Sequence, residues 1–452
     1  MSSSPDAVAP LQPVSSAPGR PRGLTDRFLS LFTEVRNGEG IGALLLGAYV
    51  FLLLESYYIL KTVREALILS EGGAEIKAYS SAAQAMFLLL FIPLYSRLAS
   101  KLNRDRLISG LTLFFASNLA IFYFLGRSGL HLGVVFFFWV GIFNVMAISQ
   151  FWALTNDLYS SEQGKRLLPV IGIGSSLGAW MGSIHAGELL PAFGTYGLML
   201  VAGGLLLACL GMKRLVNRFP ESFNRPAPAD AEKRLDKQGA FRLILNNRYL
   251  FWIAILMLVL NVVNTTGEFI LSKLVVEHAD QLVASGTVLA SQKAEFIGSF
   301  YSSFFSWVNL VGVLLQLFLV SRIFKHIGVR GALYVLPIVA FGSYLLVTLL
   351  PALALVRIAK TMENSTDYSI QNTARQALFL PTSREAKYKA KAAIDSFFWR
   401  TGDVLSAALV FVGVQFGYAV RDYAVVNVVC TLIWIAIVAM IAHEHKRLST
   451  AA

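Results

Sequence analysis

Two stretches decide the fold: YYILKTVREALIL at residues 57–69 and VRIAKTMENSTDYSIQNTARQALFLP at residues 356–381. Both place charged side chains inside long, otherwise apolar sequence. An ionisable side chain that faces lipid costs at least about 2.5 to 3.5 kcal/mol on insertion scales, so such residues persist mainly where they line a polar cavity. The two stretches therefore predict membrane helices with a polar face and a shared, charged interior.

The composition around these stretches is that of an integral membrane protein. Of the 452 residues, 56% are hydrophobic and only 15% are charged, and the mean hydropathy is +0.60. A soluble domain of ordinary composition is far less apolar. The net charge of +12 is spread over many short loops rather than gathered in one patch. This distribution argues against nucleic acid and predicts the lipid bilayer as the principal partner.

Twelve apolar runs approach the length of about 20 residues that a membrane-spanning helix needs. They lie at 41–62, 78–99, 106–126, 132–155, 167–190, 194–213, 248–272, 296–321, 330–350, 352–379, 390–415 and 422–442. The predicted fold class is therefore an all-α integral membrane protein with twelve transmembrane helices.

The sequence between and beside these runs predicts the domain boundaries. The Ser-, Pro- and Ala-rich residues 1–40 lack the apolar core of a signal peptide and predict a disordered cytoplasmic tail. A first six-helix bundle is expected at 41–216 and a second at 248–442, joined by a polar, proline-containing cytoplasmic linker at 217–247. Residues 443–452 are expected to form a cytoplasmic tail.

Basic residues alternate between successive loops, which predicts the orientation. If the N-terminus is inside, the cytoplasmic loops carry Arg97, Lys101, Arg104, Arg106, Lys165, Arg166, Arg322, Lys325, Arg330, Arg384, Lys387, Lys389 and Lys391. The opposite loops carry only Lys77, Arg127, Lys273, Lys293 and Arg421. By the positive-inside rule, both termini are predicted to be cytoplasmic.

The two halves of the chain also echo each other. SRL at 96–98 recurs as SRI at 321–323, and SEQGK at 161–165 recurs as SREAK at 383–387. Both offsets are close to half the chain, which is typical of parallel repeats related by an axis along the membrane normal. We therefore expect two six-helix pseudo-repeats in a major-facilitator-like architecture, with a substrate site between them near the membrane midplane.

The charged stretches supply the candidate site residues. In the first predicted helix, Lys61 shares a helical face with Arg64 or Glu65. In the tenth, a polar stripe recurs at helical spacing and includes Lys360, Asn364 and Asp367. Two alternatives remain open: the first helix could end near Ile59 with its charges snorkelling to an interface, and the tenth segment could be an interfacial amphipathic helix.

Other polar features carry less information. Glu268, late in the seventh predicted helix, fits the membrane edge as well as the cavity. The glycines at 172, 174, 178 and 182 lack the strand and the Lys-Ser/Thr ending of a phosphate loop, so close helix packing is the better interpretation. The histidines show no metal-ligand spacing beyond a terminal HEH. We therefore predict no cofactor, no metal site and no enzymatic activity.

Four segments resemble the nucleotide translocases, or ATP:ADP antiporters, of plastids and intracellular bacteria. They are YYILKTVREALILSEGGAEIKAY at 57–79, FWALTNDLYSSEQGKRLLPVIGIGSS at 151–176, DYSIQNTARQALFLP at 367–381 and KAKAAID at 389–395. The resemblance implies exchange of ATP for ADP or other nucleotides. It implies that Lys61, Arg64, Glu65, Lys389 and Lys391 belong to the site, and that Glu268 is the counterpart of an acidic residue in the seventh helix. The family's acidic residue in the fourth helix is missing, since residues 131–152 contain neither Asp nor Glu.

The excess of basic residues independently predicts an anionic substrate, because Lys and Arg attract phosphate strongly in a partly desolvated cavity. Three hypotheses follow: a nucleotide exchanger, a transporter for another organic anion or a proton-coupled solute, and a membrane receptor or scaffold that transports nothing. The expected location is the bacterial inner (plasma) membrane.

Overall fold

The computed structural model describes residues 24–30, 33–36, 38–99, 103–223, 239–383 and 385–451. Throughout these residues the regular structure is helical. Eight helices in this part of the chain are long and apolar enough to cross a membrane by length and composition. The all-α prediction is confirmed. The greater part of the predicted N-terminal tail (1–23) and the middle of the predicted linker (224–238) lie outside the described residues.

The helices of the first half are apolar along most of their length, and two long helices are each divided at a glycine. They are α1 (39–72), α2 (74–99), α3 (Arg104–Arg127), α4 (Gly133–Leu158), α5 (161–193) and α6 (195–216). Gly73 separates α1 from α2 with φ +74°, and Gly194 separates α5 from α6 with φ +65°. Only glycine adopts this left-handed conformation without steric cost, so each glycine lets the chain turn between consecutive helices.

The second half repeats the pattern, with one long helix divided at Gly328. Its helices are α7 (Arg248–Ala284), α8 (293–327), α9 (329–349), α10 (353–377), α11 (Ala386–Gln415) and α12 (Val420–Ala451). α10 is absent from the eight apolar spans because it carries many polar and charged residues. With α10 and the three divided helices, the described residues are consistent with the predicted twelve.

Several predicted boundaries are wrong, and the errors bear on the site. The first helix continues to residue 72 rather than ending at 62, so Lys61, Arg64 and Glu65 lie well inside it. The Glu65 side chain is only 2% exposed, which contradicts the alternative that these charges snorkel from a helix end near Ile59. Similarly, α7 runs twelve residues past its predicted end, to Ala284.

The predicted tails and linker are also more ordered than expected where the structure describes them. A short helix, Leu24–Leu29, precedes α1, and the Asp26 carboxylate accepts hydrogen bonds from the backbone N–H groups of Gly38 and Gly40. The described residues of 24–40 are therefore folded against the bundle. α12 continues to Ala451, so residues 443–451 of the predicted C-terminal tail are helical. Part of the linker forms the helix Ala240–Asn246.

Small residues let α5 pack closely against α1. A Cβ atom placed on Gly174, Gly178 or Gly182 would collide with the backbone of Gly47, Phe51 or Glu55, respectively. Gly172, in contrast, has open space around it. The packing interpretation of this glycine series is confirmed for three of its four members. The close approach holds α1, which carries the charged stretch, in a fixed position.

The halves meet on the side that the basic loops predict to be extracytoplasmic. Glu75 of α2 forms an ion pair with Lys273 of α7, with 3.5 Å between Oε1 and Nζ. Deeper in the bundle, the Ser302 hydroxyl of α8 donates to the backbone oxygen of Ser183 in α5 at 2.7 Å. These contacts close one end of the interface between the halves and leave a polar cavity below them.

Candidate functional site

A cavity of about 250 Å³ lies between the two halves. It is lined from the first half by α1, α2 and α4, and from the second by α7, α8, α10 and α11. Its charged lining residues are Lys61, Arg64, Glu65, Lys77, Glu268, Arg400 and Asp403. The cavity therefore occupies the position predicted for a substrate site, at the interface of the two repeats.

Lys61 differs from the other cavity cations of the first half because aromatic rings, and not a carboxylate, hold its ammonium group. Its Nζ atom lies 4.0 Å from the ring centroid of Phe305 and 5.2 Å from that of Tyr58. Among the described residues Lys61 forms no ion pair, whereas Lys77, the other lysine that lines the cavity, pairs with Glu65. Cation–π contact with two rings holds the ammonium group without neutralising its charge. Lys61 is thus available to pair with an anion that enters the cavity.

Glu65 forms ion pairs with the two other cavity cations of the first half. Its carboxylate forms an ion pair with Arg64 and lies 2.7 Å from the Nζ atom of Lys77. Lys77 also donates to the Ser272 hydroxyl of α7 at 2.9 Å, which links the two halves. One carboxylate therefore compensates two cations, and this wall of the cavity keeps a net positive charge.

The wall opposite is built by α7 and α10. Glu268 accepts a hydrogen bond from Asn364 at 2.9 Å and lies 3.7 Å from the Nζ atom of Lys360. Lys360 is 1% exposed and also pairs with Glu363 at 3.1 Å. The Tyr344 hydroxyl of α9 donates to Glu363 at 2.7 Å. Here two carboxylates share one ammonium group, so the charge balance is the reverse of that around Glu65.

α11 contributes Arg400 and Asp403, which sequence reasoning missed. Asp403 accepts hydrogen bonds from Asn261 at 2.8 Å and from Thr265 at 3.1 Å, both on α7. The signal was present in the sequence as WRTGD at 399–403, which puts an Arg and an Asp into an apolar segment.

Tyr368 connects the central cavity to two others. It lines the central cavity, a second of about 540 Å³ and a third of about 320 Å³. Asn372 lines both of the larger cavities, and Asp367 and Arg375 line the second. These residues follow α10 toward the side predicted to be cytoplasmic. The cavities therefore form a path that approaches the centre of the bundle from that side.

The predicted site residues fall into three groups in the structure. Lys61, Arg64, Glu65, Glu268 and Asn364 line the central cavity. Lys360 lies directly behind it, and Asp367 lines the adjoining cavity of about 540 Å³. The remaining two lie outside the lining of these cavities.

Those two residues are the lysines at the start of α11. Lys391 pairs with Asp395 at 2.7 Å, and Asp395 lines the adjoining cavity, so Lys391 lies near the mouth of the path. Lys389 is half-buried nearby. The structure thus does not bring either lysine into the central cavity beside Lys61.

Lys77 is the clearest correction. The sequence predicts Lys77 in an extracytoplasmic loop, but Lys77 lies in α2 and is 8% exposed. Lys77 lies one residue before the predicted start of this helix, at residue 78, so the sequence places it with the loop. Its burial is possible because Glu65 on α1 neutralises it. Sequence spacing alone gives no sign of a pair formed across the turn at Gly73.

A family model described as the Major Facilitator Superfamily matches residues 43–366. Among curated relatives, ADP,ATP carrier protein 5 of Rickettsia typhi is 21% identical, and the match covers 95% of this chain and 99% of that protein. ADP,ATP carrier protein 1 of Chlamydia muridarum is 24% identical over 56% of this chain. The chain spans about half of the length of this second relative, 53%.

Solved structures agree with the fold. The crystal structure of the nucleoside transporter NupG superposes with a TM-score of 0.60 at 12% sequence identity, and the match covers 90% of this chain and 98% of that one. At this identity the likeness concerns the fold alone. It supports the same bundle architecture for the two halves around the cavity.

Proposed function

Since the chain belongs to the Major Facilitator Superfamily and is a multi-pass membrane transporter, we propose that it exchanges nucleotides of the ATP and ADP type across the membrane. Exchange proceeds by alternating access, in which the two halves rock around the central cavity. The proposed location is the bacterial inner membrane, with both termini in the cytoplasm. The relatives named ADP,ATP carrier protein support the nucleotide as substrate.

The observation that carries this proposal is the position of Lys61, whose side chain lines the cavity without an ion pair among the described residues. Its ammonium group faces the cavity against the Phe305 ring, while Glu65 is already shared by Arg64 and Lys77. An anion that enters the cavity therefore finds Lys61 without an ion pair, and Arg64 and Lys77 only half compensated. Phosphate groups suit these partners, because Arg offers a bidentate donor pair and Lys offers a compact charge.

Aromatic side chains add a surface for a ring. Tyr58 and Phe305 lie beside Lys61, with 6.2 Å between their centroids, and Tyr368 lies where the cavities join. A nucleobase can pack against such rings while its phosphates pair with the cations, since aromatic groups stack favourably at these separations. We therefore propose that the phosphates bind near Lys61 and that the base lies toward Tyr368.

Counterflow in proteoliposomes tests the proposal. Vesicles preloaded with unlabelled ADP should take up labelled ADP and ATP, and an excess of ADP should compete with both. Labelled organic anions without a nucleoside should not enter at comparable rates. Uptake of such an anion in place of ADP would assign the protein to another anion. An absence of counterflow with every anion would contradict the proposal.

Two variants connect the activity to the cavity. Lys61→Ala should reduce ADP counterflow at least about tenfold, because an anion loses its uncommitted partner in a partly desolvated site, and Lys61→Arg should retain part of the activity. Lys391→Ala is expected to reduce transport as well. Lys325→Ala is the matched control, since Lys325 is exposed at the end of α8 and lines none of the three connected cavities. Full activity of Lys61→Ala would remove the cation site from the mechanism.

A further inference from the structure

A separate cavity of about 370 Å³, the outer pocket, lies at the end of the bundle that is predicted to be extracytoplasmic. It is lined by the ends of α1 and α3, by the turn between α5 and α6, and by residues at the start of α8. Its lining shares no residue with the central cavity or with the two cavities that adjoin it. The outer pocket is therefore distinct from the proposed path of the substrate.

Two carboxylates line the outer pocket, one from each half of the protein. Glu71 of α1 accepts a hydrogen bond of 2.7 Å from the backbone N–H of Gly133. Glu295 of α8 has no hydrogen-bond partner, and neither carboxylate forms an ion pair, in the described part of the chain. Arg127, the basic residue of the lining, lies 5.9 Å from the ring centroid of Tyr123 and is exposed. The lining therefore carries one net negative charge.

A buried hydroxyl group lines the same pocket without a partner. Thr195 follows the turn at Gly194 and is 7% exposed. Its Oγ1 atom makes no hydrogen bond within the residues that the structure describes. A buried polar group that lacks a partner is unfavourable, so a ligand that completes its hydrogen bonding gains affinity.

The remaining lining gives the ligand an apolar surface. It includes four aromatic or aliphatic side chains, Leu67, Tyr123, Phe193 and Tyr196. Aromatic faces attract cations, and cavities of this size that combine apolar walls with a few polar groups are typical of small-molecule sites. In the part of the chain that the structure describes, no three His, Cys, Asp or Glu residues come together in a group that could hold a metal ion. These features favour an organic cation over a metal ion or an anion.

We propose that the outer pocket binds the primary ammonium group of a small amine, with Glu71 and Glu295 as its charge partners and Thr195 as a hydrogen-bond partner. A primary ammonium group has three N–H donors and no acceptor, which suits two carboxylates and one hydroxyl oxygen. The apolar body of the amine packs against Phe193 and Tyr196.

The position of the pocket across both halves has a conformational consequence. Glu71 belongs to the first half and Glu295 to the second, so the two carboxylates separate when the halves part at this end. A ligand shifts a conformational equilibrium by its difference in affinity for the two states. The amine therefore stabilises the state in which the outer end is closed.

Fluorine NMR with 4-fluorophenethylamine tests the site without any nucleotide. The purified wild-type protein in detergent should broaden the fluorine signal of this probe, and an excess of unlabelled 2-phenylethylamine should reverse the broadening. The reversible part measures specific binding, because uptake into detergent micelles does not saturate. The alcohol of the same shape, 2-(4-fluorophenyl)ethanol, lacks the charge and should show no reversible part. An absence of reversible broadening with the amine would overturn the proposal.

Three variants connect the binding to the pocket. Glu71→Gln and Glu295→Gln should each weaken probe binding at least about tenfold, since hydrogen bonds to charged groups are the strong ones. Glu71→Gln keeps an oxygen that accepts from Gly133, so its fold should be retained. Thr195→Val, which removes only the hydroxyl group, should weaken binding about threefold. Glu277→Gln is the control, because Glu277 is exposed on α7 and lies outside the lining. Wild-type affinity in either of the first two variants would overturn the proposal.

A cross-linked protein tests the conformational consequence. Glu75→Cys with Lys273→Cys, joined by a short bifunctional thiol reagent, holds the halves together at this end, and neither residue lines the outer pocket. The affinity for the probe should be equal or higher after cross-linking. A lower affinity would overturn the assignment of the pocket to the closed state.

Two sources supply a primary ammonium group on this side of the membrane: a dissolved amine and the ethanolamine headgroup of a lipid. Probe binding is therefore compared in nanodiscs of phosphatidylcholine alone and of phosphatidylcholine mixed with phosphatidylethanolamine. A lower apparent affinity in the mixed nanodiscs identifies the headgroup as the occupant, and equal affinity identifies a dissolved amine. Both results uphold the site, whereas nanodiscs of either kind without reversible probe binding would overturn it.

Discussion

The ammonium group of Lys77 lies 2.7 Å from the carboxylate of Glu65, and the two residues belong to helices joined by a turn at Gly73. Lys77 also donates to Ser272 in the other half of the protein. Glu65 therefore stabilises the charged wall of the cavity and, through Lys77, a contact between the halves. A substrate anion that competes with Glu65 for Lys77 would act on both.

Glu65→Gln should destabilise the protein markedly. It leaves Arg64 and Lys77 without their shared carboxylate, and removing one partner of a buried ion pair costs about 3 to 5 kcal/mol. ADP should restore more stability to this variant than to the wild type, because its phosphates replace the lost negative charge. Thermal unfolding followed by intrinsic fluorescence, with and without ADP, measures both effects. Glu277→Gln is the control, because Glu277 is exposed on α7. If the unfolding temperature of this control were as low as that of Glu65→Gln, the argument would be contradicted.

The contact between α1 and α5 gives a prediction that is independent of transport. Gly178→Ala places a Cβ atom against the backbone oxygen of Phe51, which cannot move without separating the helices. The expected cost is about 1 to 3 kcal/mol. Gly172→Ala, in open space on the same helix, should be neutral or slightly stabilising, because alanine favours helix more than glycine does. Unfolding temperatures of the two variants that do not differ would contradict this packing.

The sequence predicted the bundle because hydropathy and the distribution of basic residues depend on the bilayer rather than on tertiary detail. Apolar runs revealed most helix starts to within a few residues, and the Gly174, Gly178 and Gly182 series correctly indicated close packing. Helix ends were less predictable. α1 passes through Lys61, Arg64 and Glu65 because Arg64 pairs with Glu65 and Lys61 packs against aromatic rings. A hydropathy scan counts these residues only as polar.

The site was predictable in part for the same reason. Lys61 and Asn364 could be predicted to line a cavity because polar residues at helical spacing inside apolar sequence point to one, whereas the sequence left Glu268 open between the membrane edge and the cavity. Lys77 and Asp403 were not predicted because their partners lie on other helices. Pairing across helices depends on the tertiary arrangement, and no spacing along one helix records it.

The path along α10 predicts which residues of that helix meet water. Tyr368→Cys should react with a small aqueous thiol reagent, because Tyr368 is 47% exposed and lines three cavities. ADP should slow the reaction. Ile358→Cys is the matched control, since Ile358 is 63% exposed but lines none of these three cavities, and we expect it to face the lipid. Equal reactivity at the two positions would indicate that α10 lies at the membrane surface.

The ion pair between Glu75 and Lys273 predicts that the end of the bundle expected to be extracytoplasmic must open during transport. Its atoms lie 3.5 Å apart and join the halves at the end where the cavity is closed. A short bifunctional thiol reagent applied to Glu75→Cys with Lys273→Cys should therefore hold this end shut. ADP counterflow should fall at least about tenfold, since both sides must open in turn during exchange, and cleavage of the cross-link should restore it. ADP should still reach Tyr368→Cys in the cross-linked protein from the opposite side, which is predicted to be cytoplasmic.

The control is Lys273→Cys with Glu277→Cys. Both thiols of this control lie on α7, so that cross-linking leaves the halves free. Undiminished counterflow after complete cross-linking of the first pair would show that the halves do not separate there, and alternating access through this cavity would have to be abandoned.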